Sequence, residues 1–161
     1  MNSKGTYTGL GLLTAACLMA ATGCQQAAEE APAATTETMQ DFGDYTLHFN
    51  ALTTDQLTAE VAQRHGIVRS GNRAMLNVSI LRNREGAIGV PVHGTVEVSA
   101  ANLTGQLKPV SLREITEAEA IYYIGESNVA DGETLVYTID ATPADETTPM
   151  SVRYMKQFFV D

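Results

Sequence analysis

Hydrophobic and polar residues alternate with a period of two along most of the chain beyond residue 41. In LVYTID, for example, Tyr137 and Ile139 fall on one face of an extended chain, and Val136 and Thr138 on the other. This alternation is typical of strands with one buried face. Turn-rich segments such as NREG and VADGE separate the alternating stretches. The pattern predicts seven strands, over residues 44–50, 73–82, 90–100, 107–115, 119–125, 133–141 and 150–160.

Seven short strands with frequent turns predict a mainly all-β fold, an immunoglobulin-like antiparallel β-sandwich. One short helix interrupts the pattern between the first and second strands. In TTDQLTAEVAQRHG, Thr53 and Gln56 have the spacing of a capping box, and Gly66 suits the position after the last turn. Leu57 and Val61 lie four residues apart and form a small apolar stripe. The helix is expected to cross one end of the sandwich.

The first 23 residues resemble a bacterial export signal. Lys4 supplies a positive charge, and residues 10–21 form an uncharged apolar run, which is short for crossing a bilayer. Small residues precede Cys24, as in the lipobox of lipoprotein precursors. The sequence therefore predicts a signal peptide over residues 1–23 and lipid attachment at Cys24. The alternative is a plain secretory leader with an incidental cysteine.

Residues 25–40, QQAAEEAPAATTETMQ, show no apolar periodicity. Their composition predicts a flexible tether, so that 24–40 form the lipidated cysteine and tether and 41–161 form the folded domain. Acyl chains on Cys24 would make the membrane a partner. Gln25 after the cysteine resembles the outer-membrane sorting signal of lipoproteins. We therefore expect an exported, periplasmic protein on the outer membrane, with the inner membrane as the alternative.

Charge and cysteine content narrow the function classes. The formal net charge is −9, which argues against nucleic acid as a partner because a phosphate backbone needs a basic surface. The two cysteines both lie within the first 24 residues, so the domain beyond residue 41 has neither a disulfide nor thiol chemistry. No motif predicts a cofactor.

Candidate catalytic and metal sites are weak. Ser70 lies near His65 in the sequence, which allows a Ser–His hydrolase, but Ser70 with the glycine that follows it also fits a turn. The histidines at 48, 65 and 93 belong to no metal motif. The acidic stretch REITEAE offers oxygen ligands for a weakly bound calcium ion, and a solvated turn is the alternative. We predict no catalytic residue and no metal site.

The segment QRHGIVRSGNR concentrates positive charge in an acidic chain. Arg64, His65, Arg69 and Arg73 form a candidate surface for an anionic group on a partner, since arginine binds carboxylate or phosphate in a bidentate fork. The alternative is that these side chains pair with the protein's own acids. Tyr122 is a further candidate contact, because in a strand one ring of the YY pair faces inward and the other outward.

Several stretches together resemble one family: DFGDYTLHFNAL, RHGIVRSGNRAMLNVSIL, AIYYI, GETLVYTID and KQFFVD. It is the domain-of-unknown-function family numbered 4426, small exported domains of Gram-negative bacteria. The resemblance covers residues 40–161, and GIVRSGNRA and AIYYI are its most specific segments. It implies an immunoglobulin-like sandwich and carries no established activity, so it implies no catalytic residue.

Three functions follow in order of preference. The first is a non-catalytic, lipid-anchored domain that binds an envelope protein. The second is a carrier or sensor of a small ligand, with a pocket at the helix end of the sandwich near Leu57, Val61 and Ile67. The third is a hydrolase.

Overall fold

Two β-sheets face each other across a hydrophobic core in the computed structural model, which describes residues 31–160, with the backbone alone at 87–88. Sheet A has the strand order β1-β11-β10-β6-β7, and sheet B has the order β2-β3-β4-β9-β8, with β5 also beside β4. The strands are β1 (Ala34–Thr35), β2 (Met39–Asp41), β3 (Tyr45–Thr53), β4 (Arg73–Arg84), β5 (Ala87–Pro91), β6 (Gly94–Asn102), β7 (Leu107–Lys108), β8 (Ser111–Glu117), β9 (Ala120–Asn128), β10 (Thr134–Pro143) and β11 (Met150–Gln157).

The predicted sandwich is confirmed, but the strand number is higher than seven. The strand predicted over 107–115 is two strands in different sheets, β7 and β8, and Pro109 lies at the crossing. The strand predicted over 90–100 is likewise divided, because β5 ends at Pro91 and β6 begins at Gly94. Proline lacks the N–H that a continuing ladder needs. The β1–β11 pair is parallel, whereas all other strand pairs are antiparallel.

The core lies between the sheets and is built from the inward phase of each alternating strand. Phe49, Tyr137 and Tyr154 are its most deeply buried large aromatic residues, with ring centroids 5.2 Å apart for Phe49 and Tyr154 and 6.1 Å apart for the two tyrosines. Burying a large apolar side chain contributes about 1.5–3 kcal/mol. The aliphatic members that are almost fully buried are Leu47, Leu76, Val78, Ile80, Leu135, Ile139 and Val152. The strands described above and this core belong to one compact unit, which is expected to fold independently.

The predicted helix is divided into two pieces. Thr54–Gln56 form a 3-10 turn, and the α-helix α1 spans Ala59–Arg64. The predicted capping box does not form: Gln56 Nε2 donates to the Thr53 hydroxyl at 2.9 Å, and the Thr53 side chain caps no backbone amide. Thr58 caps α1 instead, and its hydroxyl accepts a hydrogen bond from the Val61 amide at 3.2 Å. The two residues between them, Leu57 and Thr58, both have extended backbone angles, so one continuous helix does not form.

Helix α1 packs against the outer face of sheet B and not across one end of the sandwich, as the sequence had predicted. Ala62 of α1 and Ile67 of the following loop are buried there with Met75 of β4 and Ile124 of β9. Gly66 after the helix has a φ of +64°, which favours glycine and confirms its predicted place after the last turn. The outer face of sheet B thus carries a small second cluster, separate from the core.

The predicted tether is ordered in its second half. β1 adds to the edge of sheet A beside β11, and β2 adds to the edge of sheet B beside β3. Strand pairing therefore includes residues from Ala34 onward, which lie before the predicted domain start at residue 41. Composition did not reveal these strands because backbone pairing holds them while their side chains stay largely exposed. The predicted signal peptide and Cys24 lie outside the described residues.

Within residues 31–160, no helix has the length and apolar character needed to cross a membrane.

Candidate functional site

Two cavities adjoin on the outer face of sheet B, and Asn77 and Tyr122 line both. The first, the apolar cleft, has a volume of about 230 Å³ and lies between α1 and the sheet. The second, the polar groove, has a volume of about 370 Å³ and extends from there toward β2 and β5. The apolar cleft is also lined by Leu57, Val61, His65, Ile67, Met75, Ile115, Glu117 and Ile124. The polar groove is also lined by Thr38, His48, Phe49, Asn50, Ser79, Leu81, Pro91 and Ala120.

Strand register places the polar side chains in rows across sheet B. Asn77 of β4 pairs with Asn50 of β3 on one side and with Ile124 of β9 on the other. His48 and Ser79 are paired in the next outward row. Because directly opposed residues of an antiparallel pair point to the same face, these side chains share the outer surface.

The Asn77 amide is the unusual polar group of this surface. Its Oδ1 atom is buried and has no hydrogen-bond partner within the described residues. An unsatisfied buried acceptor costs about 1–3 kcal/mol. The terminal torsion of asparagine is broad and roughly two-fold, so its rotation exchanges the positions of the amide oxygen and nitrogen beside the two cavities that Asn77 lines. The site therefore has an acceptor that a ligand can satisfy.

Charged side chains surround the rim of the apolar cleft. His65 Nε2 lies 3.4 Å from Glu117 Oε1, and Arg64 lies 3.8 Å from the same oxygen. Arg64 also forms an ion pair with Glu60 at 2.7 Å. Arg113 donates to the His65 backbone oxygen at 2.7 Å. These contacts fix the end of α1 on sheet B and leave the apolar floor of the cleft open between them.

The structure brings some of the predicted binding residues together and separates others. Arg64, His65 and Tyr122 lie at or beside the apolar cleft. Arg73 lies at the start of β4, where it pairs with Glu126 at 3.3 Å. Arg69 Nη2 donates to the backbone oxygen of residue 55 at 2.6 Å. Each of the three arginines thus has an intramolecular contact, and partner binding by them stays a prediction.

Ser70 takes part in the turn that the sequence offered as the alternative to a nucleophile. The buried Thr54 hydroxyl accepts from the Ser70 amide at 2.9 Å and donates to the Val68 oxygen at 2.8 Å. The Ser70 hydroxyl accepts from the Asn72 amide at 3.2 Å. His65 faces Glu117 rather than this turn. Thr54 therefore holds the loop that follows α1 against the end of β3.

The acidic residues of REITEAE point to different partners. Glu114 Oε1 lies 3.0 Å from His93 Nδ1, whereas Glu117 contacts His65 and Arg64. Within the described part of the chain, no three His, Cys, Asp or Glu side chains are grouped so as to hold a metal ion.

Sequence reasoning missed Asn77, which lines both cavities, and Arg113 and Glu117, which contact His65 at the rim of the apolar cleft. One signal was available for Asn77. It interrupts RAMLNVSIL between Met75 and Ser79, two outward residues that are both buried. A strand that is buried on both faces must have its outer face covered. The charged residues gave no such signal, because their grouping depends on the β8–β9 register.

The fold and this surface define a class of protein: a two-sheet sandwich whose outer face is partly covered by a short helix over a cleft. The chain belongs to the family described as Domain of unknown function (DUF4426), whose model matches residues 39–161. The family resemblance seen in the sequence is thereby confirmed.

Two solved structures are similar. A DUF4426 family protein, PA0388 of Pseudomonas aeruginosa PAO1, is 32% identical, with a TM-score of 0.66 over 78% of this chain and 97% of that chain. FetP of uropathogenic E. coli strain F11, expressed recombinantly in the E. coli periplasm, is 14% identical, with a TM-score of 0.52 over 76% of this chain and 93% of that chain. At that identity FetP shows a shared fold alone. No curated protein matches the chain significantly.

Proposed function

We propose that this protein is a non-catalytic binding domain that holds the apolar part of a small ligand in the apolar cleft. The observation that carries the proposal is a cavity of about 230 Å³ between α1 and sheet B, on the outer face of the sheet rather than at the end of the sandwich where the second hypothesis had put a pocket. Its lining includes Leu57, Val61 and Ile67, the residues expected near that pocket. Apolar lining with a few convergent polar groups is typical of ligand sites.

Packing supports the cleft as a binding site rather than a loosely filled part of the core. Met75 and Ile124 are almost fully buried on its floor, whereas Leu57 and Val61 stay half-buried at its opening. Burial of a ligand methylene group contributes about 0.8 kcal/mol. A short alkyl chain in this cleft would gain several kcal/mol.

A non-catalytic role is consistent with the contacts of the residues considered for hydrolysis. The Ser70 hydroxyl accepts from the backbone of the turn, and the imidazole of His65 faces a carboxylate at the rim of the cleft. A nucleophile needs a base within hydrogen-bond reach. The side chain next to the His65 imidazole is that of Glu117 and not that of Ser70, so His65 is not positioned as a base for the Ser70 hydroxyl.

We further propose that the domain is exported and attached to the outer membrane through lipid on Cys24. The apolar run of residues 10–21, the small residues before Cys24 and Gln25 after it carry this part of the proposal. An envelope protein partner is the second candidate function. Val68, which is 62% exposed beside Arg69, favours this loop as its contact surface.

Titration with N-phenyl-1-naphthylamine, a neutral apolar fluorescent probe, tests the cleft. The chain from residue 25 onward is compared with its Val61→Phe variant, which fills the cleft, and with Val68→Phe, the same change on the exposed loop. We expect Val61→Phe to weaken probe binding about tenfold or more, while Val68→Phe binds like the parent chain. Equal binding by all three proteins would contradict the proposal.

The partner hypothesis has its own test. A photo-crosslinking residue at position 69, and separately at 122, in living cells reports on the loop and on the cleft. A discrete protein adduct at 69 that Arg69→Glu abolishes would support an envelope partner. Adducts at neither position would leave the small ligand as the favoured function.

A further inference from the structure

The polar groove has more hydrogen-bonding side chains in its lining than the cleft that it adjoins, although both cavities also have apolar walls. Six of its lining residues carry hydrogen-bonding side chains: Thr38, His48, Asn50, Asn77, Ser79 and Tyr122. None of its lining residues is Asp, Glu, Lys or Arg, although the chain contains 10 basic and 19 acidic residues. Taking a charged group out of water requires an opposite charge or a dense set of hydrogen bonds. The groove therefore fits a neutral polar group better than an ionic one.

The hydrogen-bonding groups of the groove call for a ligand that both donates and accepts. The Asn77 amide has an acceptor atom with no partner within the described residues. The Ser79 hydroxyl already donates to the Ile121 oxygen at 2.9 Å and so offers lone pairs, which need a donor. Amide side chains such as Asn50 offer both functions. Hydroxyl groups on a ligand satisfy all of these, since each donates one hydrogen bond and accepts others.

The groove also has apolar surface for the carbon side of a ring. Leu81 and Pro91 lie along it, and the half-buried ring of Tyr122 is shared with the apolar cleft. Hydroxylated rings present C–H faces as well as hydroxyl groups, and an aromatic ring with neighbouring apolar side chains covers such a face. This combination matches a sugar ring.

Both walls of the groove are fixed by backbone pairing. On one side the Thr38 backbone oxygen accepts from the Phe49 amide at 2.9 Å, which holds the segment before β2 beside β3. On the other side Pro91 pairs with Leu81 at the end of β5. A site with walls fixed in this way binds at a lower entropic cost than one that must become ordered.

We propose that the polar groove binds a neutral, hydroxyl-rich head group, so that the ligand of this protein is a glycolipid-like amphiphile with its chain in the apolar cleft. The inference rests on the proposed function, because it assigns the chain to the cleft of that proposal. Asn77 and Tyr122 are where head and chain meet, since both residues line both cavities. The two volumes together lie within the roughly 300–1,000 Å³ that is usual for small-ligand sites.

A series of amphiphiles with one chain and different heads tests the inference. Octyl β-glucoside, octyl sulfate and octyltrimethylammonium are titrated, each below its critical micelle concentration, against the chain from residue 25 onward. We expect octyl β-glucoside to bind about tenfold or more tightly than either ionic amphiphile, which corresponds to one or two net hydrogen bonds. Hexyl and decyl glucosides should differ by about three- to fourfold per methylene.

Substitutions in each of the two cavities test where the head group of the ligand binds. His48→Leu and Thr38→Val change residues that line the polar groove and not the apolar cleft. Each should reduce the preference for the glucoside severalfold while N-phenyl-1-naphthylamine still binds. Val61→Phe should weaken all three octyl amphiphiles alike. A glucoside preference that neither groove variant changes would overturn the assignment of the head group to this groove.

The outcomes separate the two proposals. Equal binding of all octyl heads, weakened by Val61→Phe, would leave the cleft standing and overturn the sugar head group. Failure of every octyl compound and of the naphthylamine probe to bind would overturn both. A dimer in sedimentation that dissociates when octyl β-glucoside is added would identify a second copy as the normal occupant and overturn the ligand proposal.

Discussion

The two faces of sheet B differ in how closely their side chains are packed. The inner face contributes Leu47, Leu76 and Val78 to the core, each at most 1% exposed. The outer face has a smaller cluster with half-buried members such as Leu57 and Tyr122, two cavities, and an amide oxygen without a partner among the described residues. Close packing stabilises a fold, whereas cavities cost stability. An unsatisfied buried atom alone does not distinguish the outer face, because the Tyr137 hydroxyl in the core also has no partner within the described residues. The comparison indicates that the inner face makes the fold and the outer face is available for function.

The largest expected loss of stability comes from a substitution on the inner face of sheet B. Leu76→Ala should lower the free energy of unfolding by about 2–5 kcal/mol, because the side chain is almost fully buried in the core. Leu57→Ala on the outer cluster should cost about 1 kcal/mol, because that side chain is only half-buried. Urea unfolding followed by circular dichroism measures both. Equal losses would contradict the distinction between the two faces.

The next effect concerns the loop that borders the cleft. Thr54→Val should cost about 1–3 kcal/mol, since it leaves the Ser70 amide and the Val68 oxygen without their hydroxyl partner. Ser70→Ala is the control, because it removes only a hydroxyl that accepts from an exposed amide. It should cost less than about 1 kcal/mol. Thermal unfolding of the two variants ranks them, and a larger loss for Ser70→Ala would refute the role given to Thr54.

A pH effect tests the edge of sheet A, away from both faces of sheet B. Burial alone would raise the pKa of Glu133, but hydrogen bonds from Lys108 at 2.7 Å, from the Ala130 amide at 2.9 Å and from Asn102 at 3.3 Å outweigh it and lower the pKa. A lowered folded-state pKa gives stability that is present above the unfolded value of about 4.3 and is lost as the pH falls through the folded value.

We therefore expect the unfolding free energy of the parent chain to fall as the pH decreases below about 4.3. Glu133→Gln and Lys108→Met should each reduce that slope. Urea titrations between neutral and strongly acidic pH measure it. An unchanged slope in both variants would show that this ion pair is not the source of the acid sensitivity.

The smallest expected change in stability is a gain rather than a loss, and it tests most directly whether the outer face of sheet B serves binding. Asn77→Leu removes the buried amide oxygen that has no partner within residues 31–160 and adds apolar volume beside Met75 and Ile124. We expect a gain of about 1 kcal/mol in stability together with loss of glucoside binding. Chemical unfolding and a binding titration on one preparation measure both. A variant that loses stability and keeps binding would remove Asn77 from the site.

The sequence predicted the strands with strong alternation and the packing of the core, because period two determines which side chains face inward. It also placed one ring of the YY pair inside and one outside: Tyr123 is buried and its hydroxyl bonds the backbone of Gly94, while Tyr122 faces the cleft. The crossing at Pro109 was not predicted, because LKPVSLR has no turn-rich break.

The candidate site was predicted only in part. Leu57 and Val61 both line the cleft, but the helical spacing that grouped them was wrong, because Leu57 lies in the extended linker before α1. The contacts of Arg64 with Glu117 and of Arg73 with Glu126 join residues more than fifty positions apart. No local pattern encodes such pairs. They follow from the order of strands in sheet B.

The segment from Ala31 to Asp41 has a mechanical consequence. It is paired first with the last strand of sheet A and then with an outer strand of sheet B, so it closes one side of the sandwich. A force applied to the amino-terminal end of this segment, as the proposed attachment at Cys24 would apply it, would reach these few backbone hydrogen bonds before any core strand. The hydrogen bonds of β1 and β2 would break first under such a force, while the remaining strands of the two sheets stay paired.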